Sequence, residues 1–159
     1  MPETEVVSDV FERSLTIVRV FDAPRELVWK AWTDPEQFAC WAGCDGHSVP
    51  LSTIKMDLRP GGAFSWVMVN DTTGAETPGE GVYREVVEPE RLVWVWTFTD
   101  PLPEESVVTL TFTDLAGKTE MRMKQVGWTW GALEAGLHDT RAGMGEEIDK
   151  LAKYLAEQT

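Results

Sequence analysis

Two cysteines and a histidine lie close together in the chain and are candidate metal ligands. Cys40, Cys44 and His47 have the spacing C-x₃-C-x₂-H, and thiolate and imidazole are ligands that zinc prefers. A tetrahedral site needs a fourth ligand or a water, and the nearest acid, Asp45, lies in the same stretch. The spacing is not that of a standard zinc knuckle, and cysteines one helical turn apart are commonly half-buried small residues. We therefore expect no metal, no disulfide and no other cofactor.

His138 is a candidate general acid or base. Its neighbour Asp139 points in another direction on a helix, so the two side chains cannot form a relay. Glu134 lies one turn earlier and could orient the imidazole, and Glu80 is a further candidate acid. A surface or capping histidine is the alternative. The sequence has no Ser-His-Asp order, nucleotide-binding glycine loop or metalloprotease helix, so we assign no catalytic residue.

The aromatic residues are distinctive, because the chain of 159 residues has eight Trp. Such rings either fill a core or line an apolar cavity, where their flat faces suit an aromatic or polycyclic ligand. Strand alternation also places Gln125 on the inner side, as a pocket residue or as an amide paired with backbone. The residues that we expect to line a cavity are Trp66, Trp94, Trp96, Phe98, Phe112, Met123, Gln125, His138, Met144 and Ile148.

These side chains need a helix and a sheet to hold them. Residues 140–158 have an apolar stripe at helical spacing, formed by Met144, Ile148, Leu151 and Leu155. Such a helix must bury its stripe against another layer. We expect it to face Trp94, Trp96, Leu110 and Met123. The glycine-rich stretch 131–145 predicts a weak helical lead-in at the mouth of the cavity.

The other elements follow from β-branched runs, turn residues and helical periodicity. Residues 1–13 are predicted to form an acidic N-terminal arm, and 14–159 a single domain. Short connections between strands predict an antiparallel meander, hence an α+β fold whose sheet curls around the C-terminal helix. The predicted elements are strand 15–21, helices 24–32 and 35–40, loop 41–53, and strands 54–58, 64–69, 81–87, 92–98, 107–112 and 118–126.

The charge balance excludes two classes of partner. Lys and Arg number 14 against 27 Asp and Glu, a formal net charge of −13. Nucleic acid and anionic membranes both need a basic surface, so neither is an expected partner. No segment has an apolar run long enough to span a bilayer, and the acidic start of the chain is unlike a signal peptide. We expect a soluble cytoplasmic protein.

Three segments resemble the landmarks of a known family. They are DAPRELVWKAWTDPEQFACW (22–41), DLRPGGAFSWVM (57–68) and GVYREVVEPERLVWVW (81–96). Together they resemble the activator-of-heat-shock-protein-90-ATPase-like domains of the START-like SRPBCC superfamily. The resemblance implies a helix-grip fold, in which a curved antiparallel sheet wraps the C-terminal helix and leaves a deep, mostly apolar cavity. The superfamily includes lipid and polyketide binders, aromatase/cyclase enzymes and co-chaperone domains.

Three functions are compatible with these patterns. The first is a non-catalytic protein that binds a small hydrophobic or aromatic molecule between the C-terminal helix and the sheet. The alternative is a domain that regulates a chaperone or binds another protein through its surface. A second alternative is a cyclase-type or hydrolase-type enzyme that uses the same cavity.

Overall fold

The structure of the protein is a computed structural model, and it describes residues 4–9, 14–43, 45–96, 106–127 and 145–158.

One antiparallel sheet dominates the described residues. Its nine strands are β1 (Glu5–Asp9), β2 (Ser14–Phe21), β3 (His47–Ser48), β4 (Lys55–Met56), β5 (Ala63–Asn70), β6 (Glu76–Val87), β7 (Arg91–Trp96), β8 (Ser106–Leu115) and β9 (Lys118–Val126). The strand order is β1-β2-β9-β8-β7-β6-β5-β3, and β4 also pairs with β5. The sheet curls into a half-barrel, so the predicted α+β helix-grip architecture is confirmed.

Helices cover the concave face of this sheet. α1 (Arg25–Thr33) and α2 (Pro35–Trp41) follow β2, and α3 occupies residues 145–158. Asp34 separates the first two helices, and its carboxylate accepts a hydrogen bond from the Glu36 backbone N–H at 3.1 Å. Because Pro35 at the first helical position lacks an N–H and Asp34 caps the next free one, the chain ends one helix and starts another within two residues.

Three strands form where the sequence predicted an arm or loops. β1 lies within the predicted acidic arm and pairs with β2, and β3 lies within the predicted loop 41–53 and pairs with β5. β6 begins five residues earlier than expected, at Glu76 rather than Gly81. Its pairing with β7 starts only at Gly81, so Pro78 needs strand hydrogen bonds on one side alone.

The hydrophobic core lies between the concave face and the helices. Ile148, Leu151 and Leu155 of α3 are almost fully buried. The expected partners of this stripe, Trp94, Trp96, Leu110 and Met123, belong to the same core cluster. Met144, the first residue of the predicted stripe, lies outside the described residues. The apolar periodicity at the end of the chain therefore identified the buried face of α3.

Within the described ranges, none of the helices has the length and apolar character needed to cross a membrane.

Candidate functional site

Four side chains form a row across the concave face of the sheet. Trp66 lies on β5, Trp96 on β7, Ser106 on β8 and Gln125 on β9. Trp96 is directly opposite Ser106 in the strand register. Gln125 is opposite Val108, which is the next inward-facing position after Ser106. We call these four residues the transverse band.

The β5 and β7 side of the transverse band is aromatic. The rings of Trp66 and Trp96 meet edge to face, with centroids 5.6 Å apart. Two glycines of β6 make room for them, because a Cβ at Gly79 would lie 2.8 Å from Trp66 Cζ2 and a Cβ at Gly81 3.3 Å from Trp96 Cε3. At Gly79 and Gly81, β6 therefore presents only backbone to the concave face, and the two indoles occupy the space that larger side chains at these positions would fill.

The β8 and β9 side of the transverse band is polar. Gln125 Nε2 donates a hydrogen bond to Ser106 Oγ at 2.7 Å, and both residues are buried. Gln125 was expected either to line a pocket or to pair with backbone, but its hydrogen-bond partner is a side chain. Ser106 was missed, although extending the alternation of Val108 and Leu110 by one step would have placed it on the inner face.

Burial decreases slightly toward the transverse band on β7 and β9. On β7 the exposed fraction rises from 3% at Trp94 to 8% at Trp96, and Trp66 beside it is partly exposed. On β9 it rises from 0% at Met121 to 6% at Met123, and Gln125 is also 6% exposed. On β8 there is no such change, since Ser106 is 1% exposed. Trp66 is therefore the most exposed member of the band.

The opposite end of the concave face is filled by aromatic rings. Trp94 packs against Phe64 at 5.6 Å and against Trp32 at 6.2 Å, measured between ring centroids. Phe112 meets Trp29 edge to face at 6.0 Å. Trp96 joins the same cluster, with its ring centroid 5.4 Å from that of Phe64 and 5.9 Å from that of Trp94. Of the aromatic residues expected to line a cavity, Trp94, Trp96 and Phe112 thus lie among packed rings, whereas Trp66 is partly exposed.

Three buried polar atoms in this aromatic cluster have no hydrogen-bond partner among the described residues: Trp32 Nε1, Trp94 Nε1 and Tyr83 Oη. Burial raises the pKa of the Tyr83 phenol above its ordinary value, so the hydroxyl stays protonated. Tyr83 also stacks on Phe64, with ring centroids 5.4 Å apart. Aromatic faces are weak acceptors at best, so these three groups contribute little through hydrogen bonding.

α3 is held to the loop after α2 by two hydrogen bonds to Gly43. Glu147 Oε2 accepts a hydrogen bond from the Gly43 N–H at 3.1 Å, and Lys150 Nζ donates one to the Gly43 carbonyl at 2.8 Å. Gly43 has φ +94°, a conformation that favours glycine. Burial raises the pKa of Glu147 to about 7, although the Gly43 hydrogen bond and Lys150 oppose the shift. Local sequence patterns carry no signal for a contact between residues 104 positions apart.

A depression of about 320 Å³ lies beside β5 and β6. Its lining is Ser52, Thr53, Lys55, Ser65, Trp66, Val67, Pro78, Gly79 and Glu80. Ser65 and Glu80 are paired across the strands and alternate with the inward-facing Trp66 and Gly79, so their side chains lie on the convex side. Glu80, a candidate acid, thus lies on the face opposite to the side chain of Trp96, although Trp66 of the transverse band lines the same depression.

The candidate zinc ligands have other partners. The Cys40 thiol is exposed and donates to the Glu36 carbonyl at 3.3 Å. His47 Nδ1 lies 3.1 Å from the Asp45 carbonyl oxygen, so Nδ1 carries the hydrogen of that contact. Cys44 lies outside the described residues. Among the residues that the structure describes, no three His, Cys, Asp or Glu side chains are grouped to hold a metal ion.

Three expected site residues, Phe98, His138 and Met144, lie outside the described residues, as does Glu134. The remaining one, Ile148, is 1% exposed on the inner face of α3. The structure thus brings Trp66, Trp96 and Gln125 into one row, with Met123 adjacent to Gln125 on β9.

Comparison with known families assigns the chain. The family model for Activator of Hsp90 ATPase homolog 1-like protein matches residues 22–156, which is most of the sequence. The chain belongs to this family. The resemblance of the three sequence segments is therefore confirmed, and it extends over all the elements from α1 to α3.

Solved structures have the same fold as this Activator of Hsp90 ATPase homolog 1-like chain. A protein from Mycobacterium smegmatis is 25% identical with a TM-score of 0.82, covering 99% of this chain and 100% of its own. A protein from Nitrosomonas europaea is 26% identical with a TM-score of 0.81, covering 94% and 97%. The AHSA1 protein from Silicibacter pomeroyi is 25% identical with a TM-score of 0.73, covering 92% and 99%. A search of curated proteins finds no match.

Membership of the family carries a general functional meaning. Proteins of this family and of the SRPBCC superfamily around it often bind ligands. The family also suggests ligand-related or chaperone-related binding in general.

Proposed function

We propose that this protein binds a small hydrophobic or aromatic molecule, without catalysis, between α3 and the concave face of the sheet. The transverse band is the observation that carries the proposal. It places two indoles 5.6 Å apart on the concave face, and one of them, Trp66, keeps part of its surface exposed. Flat apolar ligands gain about 25 cal/mol for each Å² of apolar surface that they bury, and indole rings supply such a surface with defined geometry.

The arrangement of β6 supports the same function. Gly79 and Gly81 let the two indoles lie directly over the β6 backbone. In this position Trp66 keeps part of its surface exposed. A large apolar side chain that remains partly exposed on an inner face is typical of ligand sites.

A fluorescence titration tests this function. The neutral probe N-phenyl-1-naphthylamine is titrated into the protein while probe emission and Trp emission are followed. We expect saturable binding to the wild type. Trp66→Ala should weaken it roughly tenfold, because losing about 1.4 kcal/mol of contact energy changes Kd tenfold. The matched control is Val67→Ala, the next residue on the outer face.

Two outcomes would contradict the proposal. One is the absence of saturable binding by the wild type. The other is equal weakening by Trp66→Ala and Val67→Ala, provided that both variants unfold at temperatures close to that of the wild type.

Regulation of a chaperone is the second candidate function. The description of the matching family model favours it, since that description refers to activation of the Hsp90 ATPase. The ATPase rate of an Hsp90-type chaperone is measured with and without this protein at physiological salt. A saturable change in rate would support this candidate, and an unchanged rate at saturating protein would exclude it.

A further inference from the structure

We infer that the bound molecule is an aromatic ring system with a neutral hydrogen-bonding group, such as a hydroxyl or a carbonyl. In this arrangement, Trp66 and Trp96 contact the rings, and the Ser106–Gln125 pair receives the polar group. The inference rests on the proposed function, since it specifies the ligand of the same site.

The polar pair has more hydrogen-bonding capacity than its single mutual bond uses. Gln has two N–H donors and two lone pairs on its carbonyl oxygen, and Ser has one O–H and two lone pairs. The 2.7 Å bond uses one Gln125 N–H and one Ser106 lone pair. Burying an amide and a hydroxyl costs free energy unless their bonds are made. A polar group on the ligand would form hydrogen bonds with the remaining donors and lone pairs of Ser106 and Gln125, which apolar side chains at these positions would not offer.

The pair is positioned to meet one edge of a ring system that contacts the indoles. Ser106 is directly opposite Trp96, and Gln125 is one strand further along the sheet. Adjacent strands are about 4.8 Å apart, so the pair lies about 5 to 10 Å from the β7 backbone. A molecule with two fused rings that lies beside Trp96 therefore brings a substituent at its far end to this pair.

The surroundings of the pair favour a neutral substituent over a carboxylate. The inward-facing neighbours of the band in the described residues are apolar: Leu15, Met68, Val108 and Met123. A carboxylate buried there would have no cation beside it among these residues, and burial of an unpaired charge is costly. The formal net charge of −13 adds repulsion toward anions. A hydroxyl or a carbonyl is satisfied by amide and hydroxyl partners.

A ligand series tests the inference without any variant. Naphthalene, 2-naphthol and 2-naphthoate have the same rings and differ in the substituent. Their dissociation constants are measured at pH 7 by quenching of Trp emission. We expect 2-naphthol to bind about tenfold more tightly than naphthalene, which corresponds to about one net hydrogen bond. We expect 2-naphthoate to bind more weakly than 2-naphthol.

Variants then assign the preference to the pair. Ser106→Ala and Gln125→Met should reduce the advantage of 2-naphthol over naphthalene to less than about threefold, since each removes a polar partner. The matched control, Thr109→Val, removes a hydroxyl from the opposite face of β8 and should retain the full advantage. Naphthalene should bind all four proteins with similar affinity.

The ligand series distinguishes failure of this inference from failure of the proposed function. Equal affinity of the wild type for naphthalene and 2-naphthol would overturn the inference while leaving the proposed function intact. Tighter binding of 2-naphthoate than of 2-naphthol would also overturn it. If none of the three compounds binds, both the proposed function and the inference fall.

Discussion

Glu147 is the residue at which the structure couples protonation to folding. Burial raises its pKa from 4.5 to about 7, and the groups facing the carboxyl are the Gly43 N–H and Lys150. Between pH 4.5 and 7 the native state therefore binds more protons at this residue than the unfolded state. The stabilisation is complete below pH 4.5 and is lost as the pH rises through about 7.

Glu147→Gln should remove this pH dependence while retaining an acceptor for Gly43. Each pKa unit corresponds to about 1.4 kcal/mol, and partial exposure of the residue reduces the effect, so we expect roughly 2 kcal/mol. Urea unfolding at pH 5 and pH 8 measures the free energy of unfolding of both proteins. The wild type should lose roughly 2 kcal/mol more than the variant between these pH values. Equal losses would show that Glu147 titrates normally.

Tyr83 carries a buried hydroxyl without a hydrogen-bond partner among the described residues. Tyr83→Phe should leave the free energy of unfolding unchanged or raise it by up to about 1 kcal/mol, because a buried unpaired polar group is removed. The contrasting variant is Thr119→Val, which deletes the 2.6 Å bond from Thr119 Oγ1 to the Ala23 carbonyl. That variant should cost roughly 1 to 3 kcal/mol. A comparable loss for Tyr83→Phe would mean that the hydroxyl is paired.

At the scale of elements, β6 determines the space beside the transverse band through two glycines. A Cβ at Gly81 would lie 2.8 Å from the Val95 carbonyl oxygen, which belongs to the backbone of a neighbouring strand. A Cβ at Gly79 would meet the Trp66 ring at 2.8 Å, and that side chain is partly exposed. The first contact cannot be relieved without moving the sheet, whereas the second is relieved when the indole shifts.

Gly79→Ala and Gly81→Ala should therefore have different effects. We expect Gly81→Ala to lower the free energy of unfolding by roughly 2 kcal/mol or more, and Gly79→Ala by less than about 1 kcal/mol. Gly79→Ala should nevertheless weaken binding of N-phenyl-1-naphthylamine, because Trp66 moves. Chemical denaturation and the probe titration give both quantities. Equal stability of the two variants, or unchanged probe affinity in Gly79→Ala, would contradict this description of β6.

Local periodicity predicted those elements that have a strong pattern of their own. β9 has the predicted bounds, Lys118–Val126, and the stripe of Ile148, Leu151 and Leu155 is buried. β1, β3 and the start of β6 were not predicted, because acidic, glycine-containing and proline-containing segments form strands there only by pairing with a neighbour. Such pairing is a tertiary effect that overrides local propensity.

The candidate site likewise contains residues that a local pattern predicted and contacts that no local pattern could predict. Strand alternation placed Trp96 and Gln125 on the inner face, and Trp66 was expected to line a cavity as one of the aromatic residues. The structure brings the three into one row. The Gly43–Glu147 contact depends on chain segments far apart in sequence, so no local pattern indicated it. The roles of Phe98, His138 and Met144 remain predictions.

At the scale of the whole molecule, the half-barrel has two faces with different chemistry. The concave face combines a packed aromatic cluster with the transverse band, of which Trp66 is the most exposed member. A depression of about 320 Å³ near Ser65 and Glu80 has hydroxyl and charged groups in its lining, together with Trp66. Contacts with Trp66 therefore do not distinguish a ligand between α3 and the sheet from a ligand in the depression, whereas contacts with Trp96 and Ile148 do.

The most direct test is the position of bound 2-naphthol, measured by intermolecular nuclear Overhauser effects in solution. The proposed function predicts contacts from ligand protons to the Trp96 ring on the sheet and to the Ile148 methyl groups on α3. Contacts confined to Val67 and Pro78 would place the ligand in the depression beside β5 and β6 and would contradict the proposed function.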